Sequence, residues 1–283
     1  MLKFLGFLIV IGSVLGGYVL SHGQIAALWQ PFELLIIAGS AFGAFLISNP
    51  FHLIKTTGKA TFHMLIGRHY GQPLYMDLLS MLYELFNKAR KNGLLAIEED
   101  VEDPASSDIF SRYPRITMEP ALQDFICDYL RIMSAGNLSA FELESLMDQE
   151  IETALHEAMA PAHALSKVAD ALPGFGIVAA VMGIVITMAA LGGPPEELGT
   201  HVAAALVGTF LGILLAYGFV GPLSLALEHG AHEETIALVC IKTSILAMVN
   251  GIPPQLAVEF GRKAIGSRER PSFKELEDHL RGR

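Results

Sequence analysis

Residues 172–191, LPGFGIVAAVMGIVITMAAL, form a run of 20 residues without a single charged side chain, and this run constrains the fold more than any other feature. A helix of about 20 apolar residues spans the roughly 30 Å of hydrocarbon in a bilayer. Three further runs are comparably long and nearly uncharged. Only 17% of all residues are charged, against about 25% in soluble domains. The chain is therefore predicted to be an all-α membrane protein.

The four predicted transmembrane helices cover residues 4–20, about 32–48, 171–191 and 202–227. Glu33 opens the second run, and a charged carboxylate is costly inside the hydrocarbon, so we expect it to lie at the membrane interface. The first run follows Lys3, and the apolar core of a secretory signal peptide also follows a basic residue. It is too long for such a core and no small-residue cleavage site follows it, which favours a retained helix.

Lysine and arginine are distributed unevenly around these spans. The segments 21–31 and 192–201 contain none, ten lie in 55–167 and eight lie in 242–283, and Lys3 completes the total of 19. The positive-inside rule then predicts that both termini and the central segment are cytoplasmic. The predicted organisation is spans one and two in 1–48, a helical cytoplasmic domain in 49–170, spans three and four in 171–227, and a helical cytoplasmic tail in 228–283.

The central segment is predicted to be helical throughout. Apolar residues keep helical spacing in LYMDLLSMLYELF, Gly93 supplies a stop signal, and Ser139 with Glu142 forms a capping box that opens a long helix. The segment has 18 acidic residues against ten basic ones, which argues against a nucleic-acid partner. No metal-ligand spacing, phosphate loop or nucleophile constellation is found, so neither enzyme activity nor a metal or cofactor site is predicted. Cys127 and Cys240 fall in cytoplasmic segments, where disulfides are rare.

Small residues form a stripe along each of the last two spans, at the three-and-four spacing of a helix. The members are Gly176, Ala180, Gly183 and Thr187 in the third span, and Ala205, Thr209, Gly212 and Ala216 in the fourth. Such faces let helix backbones approach closely. Packing within the chain and packing against a helix of another protein both explain the stripes.

Pro173 and Pro222 lie at the cytoplasmic ends of the same two spans. Proline removes a backbone hydrogen bond, so each residue either marks a helix end or allows the helix to bend, as in a flexible collar. An ion-translocating protein normally carries an ionisable residue inside its spans, yet the sequence shows none at mid-depth. Either the chain transports no ion, or a helix of another protein supplies the carboxylate.

The chain resembles the MotA family of flagellar motor stator subunits, in the MotA/TolQ/ExbB proton channel superfamily. The resemblance rests on YMDLLSMLYEL, KARKNGLLAIEEDVEDP, LPGFGIVAAVMGIV, VGTFLGILLAYGFVGPL and VEFGRKAIGSRERPSFKELE, and it covers nearly the whole chain. It implies a pentamer of this chain around a dimer of MotB, whose single transmembrane helix brings the ion-binding aspartate. It also implies a location in the bacterial inner membrane and a function in converting ion flow into torque.

The resemblance assigns roles to charged residues and prolines. Arg90 and Glu98 match the charges that contact the rotor protein FliG, and Pro173 and Pro222 match two functional prolines. A structural role is the alternative for the charged pair, because Arg90 ends one helix and Glu98 lies near the start of the next, where each charge suits the helix dipole.

The resemblance also assigns the ion pathway. Thr209 matches a channel threonine, and Ala180 stands where sodium-driven relatives usually carry threonine, which favours the proton as the coupling ion. The residues predicted to line the pathway and face the partner helix are Ala180, Thr209, Gly176, Gly183, Thr187 and Gly212. Two other functions stay open: an ExbB/TolQ-like energiser of outer-membrane transport, for which three spans are expected, and a membrane scaffold without transport.

Overall fold

A computed structural model describes residues 2–66, 70–136, 138–189, 191–192 and 194–281. These residues are almost entirely helical and contain no strand, which confirms the predicted all-α fold. In chain order, the described helices are α1 (Leu2–Leu20), α2 (Ile25–Leu28), α3 (Pro31–Ser48), α4 (Phe51–Ile66), α5 (Gln72–Asn92), α6 (Glu98–Glu102), α7 (Asp108–Ser111), α8 (Pro114–Thr117), α9 (Pro120–Ala135), α10 (Ala140–Ala189), α11 (Pro195–Leu215), α12 (Gly221–Val249), α13 (Pro254–Ala264) and α14 (Phe273–Arg281). A 3-10 helix, Leu94–Ile97, precedes α6, and a π-helical turn, Ala216–Val220, joins α11 to α12.

Four helical stretches of the described chain are long and apolar enough to cross a membrane, namely Lys3–Leu20, Ile25–Ser48, Ala140–Ala189 and Leu198–Val249. Their number and order confirm the predicted spans. The last two extend far beyond the apolar runs, because a helix continues through polar residues wherever its backbone hydrogen bonds are kept. The apolar run marks only the part that suits hydrocarbon.

The chain divides into two compact units, the first made of Met1–Arg68 with Glu157–Gly230 and the second of His69–His156 with Ala231–Arg283. The first unit contains a small buried apolar cluster drawn from α3, α10 and the π turn: Ile37, Ala41, Leu172, Ala179 and Ala216. Many other apolar side chains of this unit face outward. Leu8 is 67% exposed and Ile47 is 89% exposed. Such faces suit lipid or further protein chains.

The second unit has a larger core, to which α5 and α9 contribute most of their apolar faces. The predicted stop is confirmed, because α5 ends at Asn92 and Gly93 adopts φ 88°, a conformation that glycine takes without strain. The predicted capping box is also confirmed. The Ser139 N–H donates to Glu142 Oε2 at 2.9 Å, and the Glu142 N–H donates to Ser139 Oγ at 3.3 Å.

Candidate functional site

The small residues of the third and fourth spans face each other within the chain. A Cβ atom placed on Gly212 would lie 2.8 Å from the carbonyl oxygen of Leu172 and 2.9 Å from Cα of Gly176. A Cβ atom on Gly176 would lie 3.0 Å from the carbonyl oxygen of Gly208. Because these neighbours are backbone atoms, which cannot rotate away, the two helices approach too closely to accept a larger residue.

The same contact continues along α10. A Cβ atom on Gly183 would lie 2.9 Å from Cβ of Ala205. Thr187 is buried, and its hydroxyl donates to the carbonyl oxygen of Gly183 at 2.8 Å, so its polar group is satisfied within its own helix. Gly176, Gly183 and Gly212 therefore pack within this chain, and that packing accounts for most of the stripe without a partner helix.

Ala180 and Thr209 lie at the margin of this close approach. Both are half-buried. The Cβ position of Gly208 is 3.5 Å from the backbone nitrogen of Ala180, and the Cβ position of Gly176 is 3.4 Å from Cα of Thr209. Of the residues predicted to face a partner helix, these two keep surface that the described chain does not cover, and for them the partner-facing role stays a prediction.

Glu33 is buried within the chain, which the sequence does not predict. It is 9% exposed and shares one buried face of α3 with Ile37 and Ala41. Its Oε2 atom lies 3.0 Å from the Cβ position of Gly208 and makes no hydrogen bond to any described residue. The position of Glu33 at the start of an apolar run does not reveal this burial, and its interfacial depth in the membrane stays a prediction. The spacing of Glu33, Ile37 and Ala41 by four residues is the signal that places all three on one face.

The same contact bears on the prediction that no span carries an ionisable residue at mid-depth. The Glu33 carboxyl lies against Gly208. The Cβ position of Gly208 is also 3.2 Å from Cβ of Ala179. Ala179 lies about midway along the third apolar run, residues 171–191. Gly208 itself is the seventh residue of the fourth run, 202–227, so the depth of the carboxyl in the membrane stays a prediction.

Pro173 and Pro222 both lie within helical backbone, so neither marks a helix end. Pro173 is inside α10, and Pro222 directly follows the π-helical turn and the first residue of α12. In a regular helix the Pro222 ring would collide with the carbonyl of Gly218, and the wider π turn at that carbonyl relieves the collision. The Cβ position of Gly221 is 4.0 Å from Cβ of Ala169, one turn before Pro173, so the two prolines lie at similar levels. Their role as hinges stays a prediction.

Arg90 and Glu98 lie on either side of the turn at Gly93. Arg90 is in the last turn of α5 and Glu98 begins α6, so both charges suit the helix dipoles. Both side chains are exposed, and neither forms an ion pair or a side-chain hydrogen bond with the part of the chain that the structure describes. Both charges are thus available to another protein, while their predicted contact with the rotor stays a prediction.

A neighbouring network that the sequence does not reveal holds this turn in place. Lys88 Nζ lies 2.6 Å from Oδ2 of Asp100, which is only 6% exposed. Ser107 donates its hydroxyl to Oδ1 of Asp100 at 2.6 Å and accepts two backbone N–H groups at the start of α7. Asp100 is one of five acidic residues in EEDVED, and nothing in that run distinguishes it. The network ties α5, α6 and α7 together and fixes the turn that presents Arg90 and Glu98.

The chemistry that these residues offer is limited. No group of three His, Cys, Asp or Glu side chains among the described residues could hold a metal ion. Among the described side chains, the first unit offers the buried carboxyl of Glu33 and the half-buried Thr209 beside closely packed helices, and the second unit offers the exposed charges of Arg90 and Glu98. A carboxyl can bind and release a proton, and exposed charges can pair with a complementary protein surface.

Comparisons with known proteins agree along the whole chain. The model of the motility protein A N-terminal family matches residues 4–93, and that of the MotA/TolQ/ExbB proton channel family matches residues 119–238. Motility protein A of Salmonella typhimurium is 50% identical over 281 residues, which are 99% of this chain and 95% of that protein. Motility protein A of Escherichia coli is 49% identical, with the same coverage.

A solved structure shows the same fold. The structure of MotAB from C. jejuni contains a chain with a TM-score of 0.79 at 19% identity, and the match covers 95% of this chain and 97% of that one. The 50% sequence identity to motility protein A, over nearly the full length of both chains, shows the family of this chain. The four apolar helices make the chain a multi-pass membrane protein. The chain belongs to the motility protein A family of flagellar motor stator subunits, within the MotA/TolQ/ExbB proton channel family.

Proposed function

We propose that this chain assembles as a pentamer around a dimer of a MotB-type protein and forms with it a proton-conducting stator of the bacterial flagellar motor. The observation that carries the proposal is the match to motility protein A along nearly the whole chain. The complex is placed in the inner membrane, with both chain termini in the cytoplasm. The chain performs no enzymatic step and needs no cofactor besides the coupling ion.

The ion pathway is proposed to run along the margin of the contact between the third and fourth spans. Ala180 and Thr209 keep uncovered surface there, and the single transmembrane helix of the MotB-type partner lies against them. Protonation removes the charge of the partner's aspartate and changes its affinity for the wall that includes Thr209. Each proton cycle then lets the ring of this chain take one step around the partner. Because residue 180 is alanine and not threonine, we propose the proton and not sodium as the coupling ion.

The step is proposed to reach the rotor through the second unit. Pro173, Pro222 and the π turn interrupt regular hydrogen bonding in the two pathway helices, so bending is least costly there. Arg90 and Glu98 then pair with charges on the rotor protein FliG. Exposed ion pairs are individually worth roughly 0 to 1 kcal/mol, which suits a contact that must form and break in every cycle.

The two other candidate functions have less support. An ExbB/TolQ-like energiser is expected to have three spans, whereas four helical stretches of the described chain are suited to crossing a membrane. A scaffold without transport leaves the match to motility protein A along nearly the whole chain unexplained. No structural observation favours either function over the stator.

Disulfide crosslinking in the assembled complex tests the proposal. A cysteine at Thr209 or Ala180 should crosslink to a cysteine scanned along the partner's transmembrane helix, most strongly near its aspartate. Leu8→Cys is the matched control, because Leu8 is exposed in the middle of α1, outside the proposed pathway. Crosslinks from Leu8→Cys but none from either pathway position would contradict the proposed arrangement, and so would failure to co-purify a single-span protein with an intramembrane aspartate.

A further inference from the structure

Glu33 is a buried acidic group that the proposed mechanism leaves unused. It belongs to the packing face of α3, because the other buried residues of that helix, Ile37 at 0% and Ala41 at 2% exposure, follow at intervals of four. Glu33 itself is 9% exposed. A glutamate on such a face is costly when ionised, so its presence needs a cause other than solubility.

The surroundings of the carboxyl supply no compensating positive charge. Oε2 is enclosed and has no hydrogen-bond partner among the described residues. The described side chains of α2, α11, the π turn and residues 171–189 include two groups that titrate, His201 and Tyr217, and no lysine or arginine. His201 is seven residues from Gly208 in the sequence, and Tyr217 is 74% exposed. A carboxyl packed in this way is best accommodated as the neutral acid.

The notch that receives the carboxyl exists because residue 208 is glycine. The Cβ position of Gly208 is 3.0 Å from Glu33 Oε2, 3.2 Å from Cβ of Ala179 and 3.5 Å from the nitrogen of Ala180. Thr209 is the next residue along the chain. The carboxyl therefore lies beside the two residues that we place on the ion pathway, while its backbone is in the first turn of α3, next to the segment 21–31 that is predicted to face outward.

We propose that Glu33 is a second proton-binding group of the stator, located between the outer surface and the partner's aspartate. Its carboxylate takes one proton from a hydronium ion at the outer end of α3: one O–H bond of the hydronium breaks, one O–H bond forms on Glu33, and a water molecule is left. When α3 moves away from the Gly208 notch, that bond breaks and the same proton bonds to a carboxylate oxygen of the partner's aspartate, so the Glu33 carboxylate is restored. This inference rests on the proposed function, and its test keeps the two separable.

Covalent labelling of the wild-type complex is the first test. Dicyclohexylcarbodiimide is apolar and reacts with protonated carboxyl groups: the acid proton moves to a nitrogen of the reagent, the carboxyl oxygen bonds to its central carbon, and rearrangement leaves a stable N-acylurea. Mass spectrometry should find the adduct on Glu33, in an amount that falls as the pH is raised, and none in Glu33→Gln. The partner's aspartate is the positive control.

Motor speed is the second test, in a strain that lacks its own motility protein A and carries this chain with its partner. Glu33→Gln keeps the shape of the side chain but cannot exchange an acidic proton, so we expect assembled motors that lose most of their speed. Glu152→Gln, an exposed change in α10, is the matched control and should run at wild-type speed. Should Glu33→Gln fail to assemble, the labelling of the wild-type complex decides.

The outcomes separate the two ideas. Labelling of the partner's aspartate without labelling of Glu33 at any pH overturns this inference and leaves the proposed function standing. Wild-type speed in assembled Glu33→Gln motors overturns it as well. If the aspartate is not labelled and the wild-type chain restores no motility, the proposed function itself fails.

Discussion

Two acidic residues in one short run, Glu98 and Asp100, show how much the role of a charge depends on its neighbours. Asp100 is buried against Lys88 and Ser107, whereas Glu98 is exposed and has no partner among the described side chains. Sequence alone treats them alike. The resemblance to stator subunits indicates Glu98 as the residue that contacts the rotor. The structure shows that Asp100 instead stabilises the fold, through its contacts with Lys88 and Ser107.

This difference predicts opposite phenotypes for two sets of variants. Arg90→Glu combined with Glu98→Lys should change the free energy of unfolding by less than about 0.5 kcal/mol, because both side chains are exposed, yet it should abolish most torque. Complementary charge reversals on the rotor protein should restore part of that torque. Asp100→Asn should instead lower the free energy of unfolding by about 1–3 kcal/mol, since it weakens a charged hydrogen bond. Thermal unfolding and swimming speed distinguish the two sets.

The result that would contradict this assignment is equally specific. If the Arg90→Glu and Glu98→Lys double variant swims normally, or if it fails to assemble in the membrane, the two residues only cap their helices. The rotor-facing surface would then lie elsewhere on the second unit.

Cys127 gives a prediction that depends only on burial. Removal from water raises the pKa of its thiol to about 12, which outweighs the opposing effect of Arg131. Because the thiolate is the reactive form and is scarce far below that pKa, alkylation at neutral pH should be slow in the folded chain. Denaturant should make it fast, as measured by the mass of the Cys127 peptide. Rapid alkylation without unfolding would show that the second unit opens around α9.

At the scale of helices, the small-residue stripe contains two kinds of residue. Its glycines bring α10 and α11 together within the chain, whereas Ala180 and Thr209 keep surface at the edge of that contact. The spacing of small residues predicts a close approach correctly. It cannot say which helix is approached, because a partner helix and a helix of the same chain require the same small face.

Replacement of a closely packed glycine should therefore lower the stability of the chain, whereas replacement of a glycine with open space around it should not. Gly212→Ala places a methyl group 2.8 Å from a backbone oxygen, so it should cost about 1–3 kcal/mol of stability. Gly43→Ala is the matched control in α3, because nothing lies within 4 Å of its Cβ position and alanine favours the helix. The midpoint of thermal unfolding of the detergent-solubilised chain should fall for Gly212→Ala only. Equal effects at both positions would contradict the observed packing of α10 on α11.

Local signals account well for helix ends outside the predicted spans. The stop at Gly93 and the capping box of Ser139 with Glu142 are both present as predicted. The burial of Glu33 could not be predicted in this way, because burial depends on which elements pack together and not on the neighbours of a residue in sequence. The π turn before Pro222 was beyond prediction as well, because a proline shows only that regular bonding is interrupted and not how the backbone adapts.

At the scale of the whole molecule, the four apolar helices and the uneven distribution of lysine and arginine predict one topology. The number of spans follows from sequence because each apolar run must be long enough for the bilayer. The domain boundaries at residues 49, 171 and 228 stay predictions. Helices α10 and α12 run through the last two boundaries without a break.

Reporter tags test this topology. The positive-inside rule predicts that tags at Gly23 and Pro194 report the outer side of the membrane, because no lysine or arginine lies in either segment. Tags at Asn92 and at the C-terminus should report the cytoplasm. The full-length untagged chain, tested for motility in parallel, controls for disturbance by the insertion. A cytoplasmic signal from either of the first two tags would contradict the four-span arrangement.

The central claim is that this chain converts a proton gradient into rotation, and swimming speed under controlled gradients tests it most directly. The chain and its MotB-type partner are expressed in a strain without stators, and speed is recorded while the proton and sodium gradients are varied independently. We expect motility to be restored, speed to follow the proton gradient, and removal of sodium to have no effect. Speed that follows sodium, or complete failure to restore rotation by an assembled complex, would contradict the account.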